Sequence, residues 1–117
     1  MCLCTIDKKT KQAKEGYKIF ERYNNKLYSV YMTSKGCFKT GEWIYDDEVM
    51  NIETSNGEFY KTGFHFYFDK TDAMQTSTLL NNYNYIVKKN KVKNIVASGK
   101  GFFDQRVGVA RSMFIED

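Results

Sequence analysis

The sequence contains no proline, one histidine and three cysteines among its 117 residues. Without proline there is no rigid proline-rich linker and no proline that marks a domain boundary. With one histidine, any nucleophile–histidine–acid arrangement must use His65. Three cysteines cannot all form disulfides, which is typical of a protein kept in a reducing compartment.

The cysteines give a weak metal-binding signal. Cys2, Cys4 and Cys37 together with His65 would supply four zinc ligands. However, Cys2 and Cys4 form a Cys-x-Cys pair rather than the usual Cys-x-x-Cys knuckle, and no second pair follows. We therefore interpret the cysteines as reduced, partly buried thiols, which behave as small apolar residues. We expect no metal and no cofactor.

Long hydrophobic runs and a concentrated charge are also missing. The first 20 residues are rich in lysine and contain no apolar stretch of the length that a signal peptide or membrane span needs. We therefore expect a cytosolic protein with no membrane partner. The net charge of +4 is mild, whereas dedicated duplex-DNA binders show a concentrated basic face, so we expect no DNA partner. The densest basic cluster is interpreted as a solvated strand edge: Lys88, Lys89, Lys91 and Lys93.

Aromatic residues, in contrast, are abundant. Nine Phe, nine Tyr and one Trp make up 16% of a chain that is 42% hydrophobic and 27% charged. This composition is typical of a globular protein, and the length fits a single domain over residues 1–117. Large rings favour strands and fill the core of a small sheet protein.

The hydrophobic pattern predicts several strands and one helix. Turns are expected at Asn24–Lys26, Ser34–Gly36 and Ser55–Gly57. Between Glu58 and Phe68 the phenylalanines alternate with His65 and Tyr67, as in a strand with both faces covered.

The second half supplies the helix and the last strands. Asp69 is a suitable N-cap for a helix over residues 70–81. Strands are expected over residues 83–87, over residues 92–96 after a turn at Asn90, and over residues 107–115. The expected fold is α+β, a twisted antiparallel sheet of five to seven strands with one main helix. The helix pattern places four residues on its apolar side: Ala73, Met74, Ser77 and Leu80.

The last strand gives the strongest indication of a binding site. Strict alternation places Arg111 on the same face as four apolar residues. A guanidinium in such surroundings needs a partner, contact with solvent or an anion. Arg111 therefore indicates a site for an anionic ligand. The apolar residues in phase with it are Val107, Val109, Met113 and Ile115.

Catalytic signals are lacking. No Gly-x-Ser-x-Gly or His-Glu-x-x-His motif is present, and Gly99–Gly101 is too short for a phosphate-binding Walker loop. We interpret His65 as a hydrogen-bonded structural residue rather than a catalytic one. We expect no catalytic residue and no enzymatic activity.

The remaining candidates form a binding inventory. Aromatic faces stack on purines, arginines pair with phosphate oxygens and asparagine amides bond base edges. The same inventory serves a protein–protein interface, and for each phenylalanine a place in the core is an equally good interpretation. The candidate residues are His65, Tyr67, Asn94, Phe102, Phe103, Arg106 and Arg111.

Several segments together resemble small proteins of phages and prophages, most of all the Thoeris anti-defence 1 family. These segments are Met1–Leu3, Tyr17–Lys18, Thr62–Phe66, Asp72–Ala73 and Val107–Ile115. The resemblance implies a sponge that binds a cyclic ADP-ribose signal without cleaving it, in the cytoplasm of a bacterial host. It also implies a homodimer or higher homo-oligomer, with the pocket at a dimer interface and with cyclic oligonucleotides as further ligands of some members.

The resemblance gives the candidate residues specific roles. Arg111 and Arg106 would hold the diphosphate, one of the aromatic residues would stack on adenine, and Asn94 would bond a base or ribose edge. The main alternative is a protein-binding inhibitor of a host factor, similar to an anti-CRISPR protein, with a flat patch and no enclosed pocket. A nucleotide hydrolase is a third class, which the missing catalytic set disfavours. The aromatic candidates are Phe102, Phe103 and Tyr67.

Overall fold

A computed structural model of the chain describes residues 3–30, 37–47, 50–80 and 84–116. In these ranges the chain forms nine strands and one helix, which confirms the predicted α+β class. The elements are β1 Thr5–Ile6, β2 Glu15–Tyr23, β3 Lys26–Ser29, β4 Trp43–Tyr45, β5 Asn51–Glu53, β6 Phe59–Lys61, β7 Phe64–Tyr67, α1 Lys70–Leu80, β8 Tyr85–Lys100 and β9 Arg106–Ile115.

Seven strands form one antiparallel sheet in the order β1-β8-β2-β7-β9-β4, with β3 paired to β2. Because β8 also pairs with β9, the strands β8, β2, β7 and β9 form a closed ring of neighbours. The strands β5 and β6 form a separate two-stranded sheet. No helix among the described residues is long and apolar enough to cross a membrane.

Two of the predicted turns are confirmed. Asn24 and Asn25 have φ of 50° and 61° in the tight turn between β2 and β3, as a hairpin turn of two left-handed residues requires. Gly57, with φ of 82°, lies in the turn between β5 and β6. The turn predicted at residues 34–36 lies outside the described residues.

The predicted turn at Asn90 is wrong, because β8 runs unbroken for 16 residues. Asn90 is paired with Gly16 on β2 and with Ile115 on β9, and is only 2% exposed. Two irregularities follow instead: Asn94 has φ of 58° four residues later, and the register with β9 shifts between Ile95 and Ala97. The strand accommodates the left-handed asparagine and the nearby bulge without reversing direction.

The segment from Glu58 to Phe68 is not one strand but two, because it is interrupted at Thr62 and Gly63. At Gly63 the backbone passes so close to β9 that a Cβ atom would lie 2.7 Å from the Ala110 carbonyl oxygen. The residue lacks a side chain where the two strands meet, and β7 begins immediately after it.

The helix begins where it was predicted, but the side that it buries differs from the predicted apolar side. Ala73 and Thr76 are buried, whereas Met74 is 48% exposed. Thr76 is buried because its hydroxyl oxygen accepts a hydrogen bond from Gln105 Nε2 at 2.8 Å. A polar contact to the β8–β9 turn therefore replaces part of the predicted apolar stripe.

The core divides into two clusters. The apolar residues of β9 that were predicted to share one face are therefore divided between these clusters. Val107 and Val109 pack with Ala73 of the helix. Met113 and Ile115 instead pack with Phe66 in the second cluster. The change occurs around Arg111, which the register places opposite the left-handed Asn94. Strict alternation therefore fails opposite the left-handed residue of β8.

Candidate binding site

The sequence predicts that Arg111 lies among apolar residues and marks a site for an anionic ligand. In the structure its guanidinium is instead bonded to polar groups of its own chain. Its Nη1 donates to the Thr62 carbonyl oxygen at 2.5 Å, and its Nη2 donates to the Asp46 carbonyl oxygen. The Asp46 carboxylate lies 3.7 Å from Nη1, and both side chains are about four-fifths buried, with 20% and 21% exposed. Through these contacts the guanidinium connects the end of β4 to the loop before β7. Its partners are groups of its own chain, so no anion is needed to explain its burial.

Arg106, the second arginine predicted to hold a diphosphate, does not lie close to Arg111. Arg106 Nη1 lies 3.6 Å from Asp7 Oδ1, and Asp7 Oδ2 accepts a hydrogen bond from Ser98. Arg106 and Arg111 are five residues apart on one strand, which separates their Cα atoms by roughly 17 Å. Two cations at that separation do not share one diphosphate, so the predicted diphosphate clamp is not assembled within the chain.

Phe102 and Phe103 lie in the turn between β8 and β9, 82% and 58% exposed, with ring centroids 5.1 Å apart. The turn is anchored by a hydrogen bond from the Phe103 N–H to Gln105 Oε1 at 2.8 Å. The structure therefore brings Phe102, Phe103 and Arg106 together at one end of the strand pair. Arg111 lies further along the strand.

Of the two candidates on β7, Tyr67 is buried and His65 is half-buried. Tyr67 is 2% exposed and belongs to the core cluster below the helix, so its ring is not available for stacking on a ligand. His65 Nε2 lies 3.0 Å from the Tyr60 hydroxyl, which accepts a hydrogen bond from the Leu3 N–H. The hydroxyl hydrogen can then point at Nε2, which fits a neutral imidazole.

A buried lysine that the sequence did not single out lies beside this histidine. Lys18 is 7% exposed, and its Nζ donates to the His65 carbonyl oxygen at 2.9 Å. Burial lowers the pKa of Lys18 to about 8. Burial, and then the charge of Lys18, lower the pKa of His65 to about 3. We call Lys18, His65 and Tyr60 the buried polar centre.

A different part of the sheet presents cations and rings together on the surface. Lys93 Nζ lies 4.2 Å from the centre of the Trp43 ring and 5.6 Å from that of Tyr45. Lys91 Nζ lies 5.2 Å from the centre of the Phe114 ring, and the Phe114 and Trp43 rings meet edge to face at 5.8 Å. We call these five residues, Trp43, Tyr45, Lys91, Lys93 and Phe114, the aromatic–lysine face.

Strand pairing arranges this face in two rows across β8, β9 and β4. Lys91 pairs with Phe114, which pairs with Trp43, and together they form the first row. The second row is formed in the same way by Lys93, Ser112 and Tyr45. Side chains two residues apart on a strand point to the same side, so each strand contributes to both rows.

The surroundings of the face are mixed in charge. A shallow depression of about 390 Å³ opens beside Trp43 and Tyr45 and is also lined by Lys39, Glu42 and Asp47. The lysines of the face belong to β8, and Lys93 reaches across to the Trp43 and Tyr45 rings that border this depression. Anionic groups of a ligand are therefore favoured near these lysines and not over the acidic residues of the depression.

Asn94 is the one predicted site residue that borders the face. Its Nδ2 lies 3.3 Å from the hydroxyl oxygen of Ser112, the central residue of the second row. Asn94 is exposed, so its amide is accessible next to the face.

The interpretation of the lysine cluster as a strand edge is wrong. Lys91 is paired with Glu15 of β2 on one side and with Phe114 of β9 on the other.

The spacings Trp43-x-Tyr45 and Lys91-x-Lys93 are the sequence signal for the aromatic–lysine face, since each places two like side chains on one face. What the sequence alone does not give is the pairing of β4 with β9, which joins segments about 70 residues apart.

Comparison of the chain with protein-family models, with curated proteins and with solved structures found no match. The chemistry of the described residues therefore carries the functional proposal.

Proposed function

We propose that this protein binds a nucleotide-type ligand on the aromatic–lysine face and holds it without chemical change. The observation that carries the proposal is the position of Lys93, whose Nζ lies within 6 Å of the centres of both the Trp43 and Tyr45 rings on an exposed surface. Rings of this kind stack on nucleobases, and neighbouring lysines pair with phosphate.

The strengths of the competing contacts favour a ligand. A lysine over a ring at an exposed site contributes about 0.5–1 kcal/mol, whereas a base stacked on an aromatic residue contributes about 1–3 kcal/mol. A base can therefore displace Lys93 from Tyr45, and the freed ammonium group can then meet a phosphate. The lysines cover the rings in the free protein without blocking the site.

The narrower form of the proposal comes from the resemblance to the Thoeris anti-defence 1 family. In that form the ligand is a cyclic ADP-ribose isomer, and the protein is a phage or prophage sponge in the cytoplasm of a bacterial host. The adenine would stack on Tyr45 or Trp43, and the diphosphate would lie over Lys91 and Lys93 in place of the predicted arginines. A homodimer would enclose the ligand between two such faces.

A protein-binding inhibitor remains the second candidate, because one observation favours it. The aromatic–lysine face is an open sheet surface, and the depression beside it is shallow. Tryptophan and tyrosine are frequent anchors of protein interfaces. On this alternative the face would contact a host protein and no nucleotide.

The single tryptophan makes the test direct, because Trp43 lies in the proposed site. Its fluorescence is followed while AMP, ATP, cyclic ADP-ribose isomers and cyclic dinucleotides are added, and the melting temperature is measured with each. We expect quenching and a raised melting temperature with at least one nucleotide. After heating, the ligand should be recovered intact; an altered ligand would mean turnover.

The matched variants are Tyr45→Ala in the face and Phe102→Ala outside it. Both residues are exposed aromatics, 58% and 82% accessible, so neither substitution opens the core. Tyr45→Ala should weaken binding about tenfold, the loss expected for one stacked base, and Phe102→Ala should leave it unchanged. Equal effects, or no quenching by any nucleotide, would reject the proposal and leave the protein-binding inhibitor.

A further inference from the structure

The aromatic–lysine face contains the same pairing of groups twice. The first row places Lys91 beside Phe114 and Trp43, and the second places Lys93 and Tyr45 on either side of Ser112. The rows are two residues apart along each strand, or about 7 Å. A mononucleotide uses one ring and one lysine, so it leaves the other row unused. A ligand that uses both rows has to contain at least two bases and two phosphates.

From this repetition we propose that the natural ligand of the face is a single-stranded oligonucleotide that stacks at least two successive bases on the two rows. The inference rests on the proposed function, since it assigns a ligand class to the same face. Exposed aromatic side chains on a sheet are a common surface for stacking two or three unpaired bases.

The duplex form is excluded by the same geometry. The bases of a duplex are stacked on each other, so their faces are not available to Trp43 or Tyr45. The expectation of no DNA partner depended on the missing concentrated basic face, which a duplex binder requires. A stacking surface needs fewer cations, and the face carries two.

The charges beside the face limit how many phosphates it can hold. Lys88 donates to the Glu116 carbonyl oxygen at 2.6 Å, and Lys89 lies 3.0 Å from the Glu15 carboxylate. These contacts leave Lys91 and Lys93, whose described contacts are with rings, as the phosphate-binding pair. Two phosphate contacts on a single strand predict a slope of about −1.4 in the logarithm of the binding constant against that of the salt concentration.

Asn94 gives the face one further polar group. Its amide lies against Ser112 at the border of the second row, within reach of the edge of a base stacked on Tyr45. Stacking itself tolerates every base, so any base preference should come from this amide.

The test is a binding titration of the intact protein with fluorescein-labelled eight-nucleotide strands, oligo-U RNA and oligo-T DNA, followed by fluorescence anisotropy. UMP, TMP and a duplex of the same length are the competitors. We expect both single strands to bind at least tenfold more tightly than the mononucleotides. The duplex should compete poorly. A difference between the two strands would identify the preferred sugar.

Substitutions test the two rows separately. Lys93→Gln should reduce the magnitude of the salt slope by about 0.7, the contribution of one phosphate contact. Tyr45→Ala should weaken oligonucleotide binding about tenfold and leave the salt slope unchanged. The matched control is Lys70→Gln, an exposed lysine at the start of the helix, which should change neither quantity. Circular dichroism and melting temperature establish that each variant is folded.

The outcomes separate this inference from the proposed function. If mononucleotides quench Trp43 and bind as tightly as the eight-nucleotide strands, the two-row inference is wrong and nucleotide binding stands. If the duplex binds as tightly as the single strands, contact is with the backbone alone, and the inference is also overturned. If neither mononucleotides nor strands bind, both proposals fail together.

Discussion

The described part of the molecule holds lysines against aromatic rings in more than one region, and the partners of the charge differ between two of these regions. In the buried polar centre, Lys18 lies 5.9 Å from the Phe38 ring and donates a hydrogen bond to the His65 carbonyl oxygen. In the aromatic–lysine face, Lys93 lies 4.2 Å from the Trp43 ring, and no acid pairs with it in the described part of the chain.

The difference separates cations that belong to the fold from cations that are available to a ligand. A charge that is bonded to carbonyl or carboxylate oxygens inside the protein would leave those groups unsatisfied if it moved. A charge that rests on an exposed ring can leave it at a cost of about 0.5–1 kcal/mol. Arg111, bonded to Thr62 and Asp46, belongs to the first class.

The largest effect is expected in the buried polar centre, as a loss of stability at acidic pH. The pKa of His65 is lowered to about 3, while the same residue in the unfolded chain titrates near 6.5. The unfolded chain therefore binds the proton first, and stability is lost as the pH falls from 6.5 towards 3, by up to about 4 kcal/mol. Urea denaturation at a series of pH values measures this loss.

The control for that measurement is His65→Gln, a neutral residue that has no such titration. The free energy of unfolding of the variant should depend less steeply on pH across this range, although its carboxylates still titrate. Equal pH dependence of the two proteins would show that His65 is not held neutral by burial, and the centre would lose its distinguishing property.

Lys18 should give the next largest effect, with a pH dependence of the same sign in a higher pH range. Its pKa is lowered from 10.5 to about 8, so between these values the unfolded chain binds more protons than the folded one. Stability should therefore rise with pH from 8 to 10.5, by about 3 kcal/mol at most. In Lys18→Met this rise should be absent. A rise of the same size in the variant would assign it to other groups.

The fold was more predictable from sequence than the site, for a physical reason. Local signals such as Asn24–Asn25 and Asp69 act within a few residues, and the turn and the helix start they predict are present. The turn predicted at Asn90 failed because pairing with both β2 and β9 overrides the local preference of asparagine.

The site was less predictable because it depends on contacts between distant segments. The sequence indicated correctly that Arg111 needs a partner, but Asp46 reaches it only because β4 pairs with β9. The same pairing brings Trp43 to Phe114 and so creates the aromatic–lysine face. Of the seven predicted site residues, Asn94 alone borders that face, Tyr67 lies inside the protein, and His65 is half-buried and bonded to Tyr60.

Arg111→Met sharpens the distinction between the two classes of cation. The substitution keeps much of the apolar stem but removes the hydrogen bonds to Thr62 and Asp46, so the free energy of unfolding should fall by about 2 kcal/mol. Nucleotide affinity of the folded variant should be unchanged. Chemical denaturation and Trp43 quenching measure the two quantities.

The matched control is Arg106→Met, which removes a more exposed arginine from the same strand, 43% accessible and 3.6 Å from Asp7. Its loss should stay below about 1 kcal/mol. A folded Arg111→Met variant of normal stability that no longer binds nucleotide would restore the original interpretation of Arg111 as the phosphate-binding residue.

The smallest effect is expected in the aromatic–lysine face itself. Lys93→Gln should lower the free energy of unfolding by no more than about 0.5–1 kcal/mol, since it removes only an exposed contact with the rings of Trp43 and Tyr45. Combining it with Tyr45→Leu in a double-mutant cycle measures the coupling of the two side chains by urea denaturation. A coupling well above about 1 kcal/mol would place Lys93 among the structural cations, because a lysine fixed that firmly to its ring is not free to meet a phosphate.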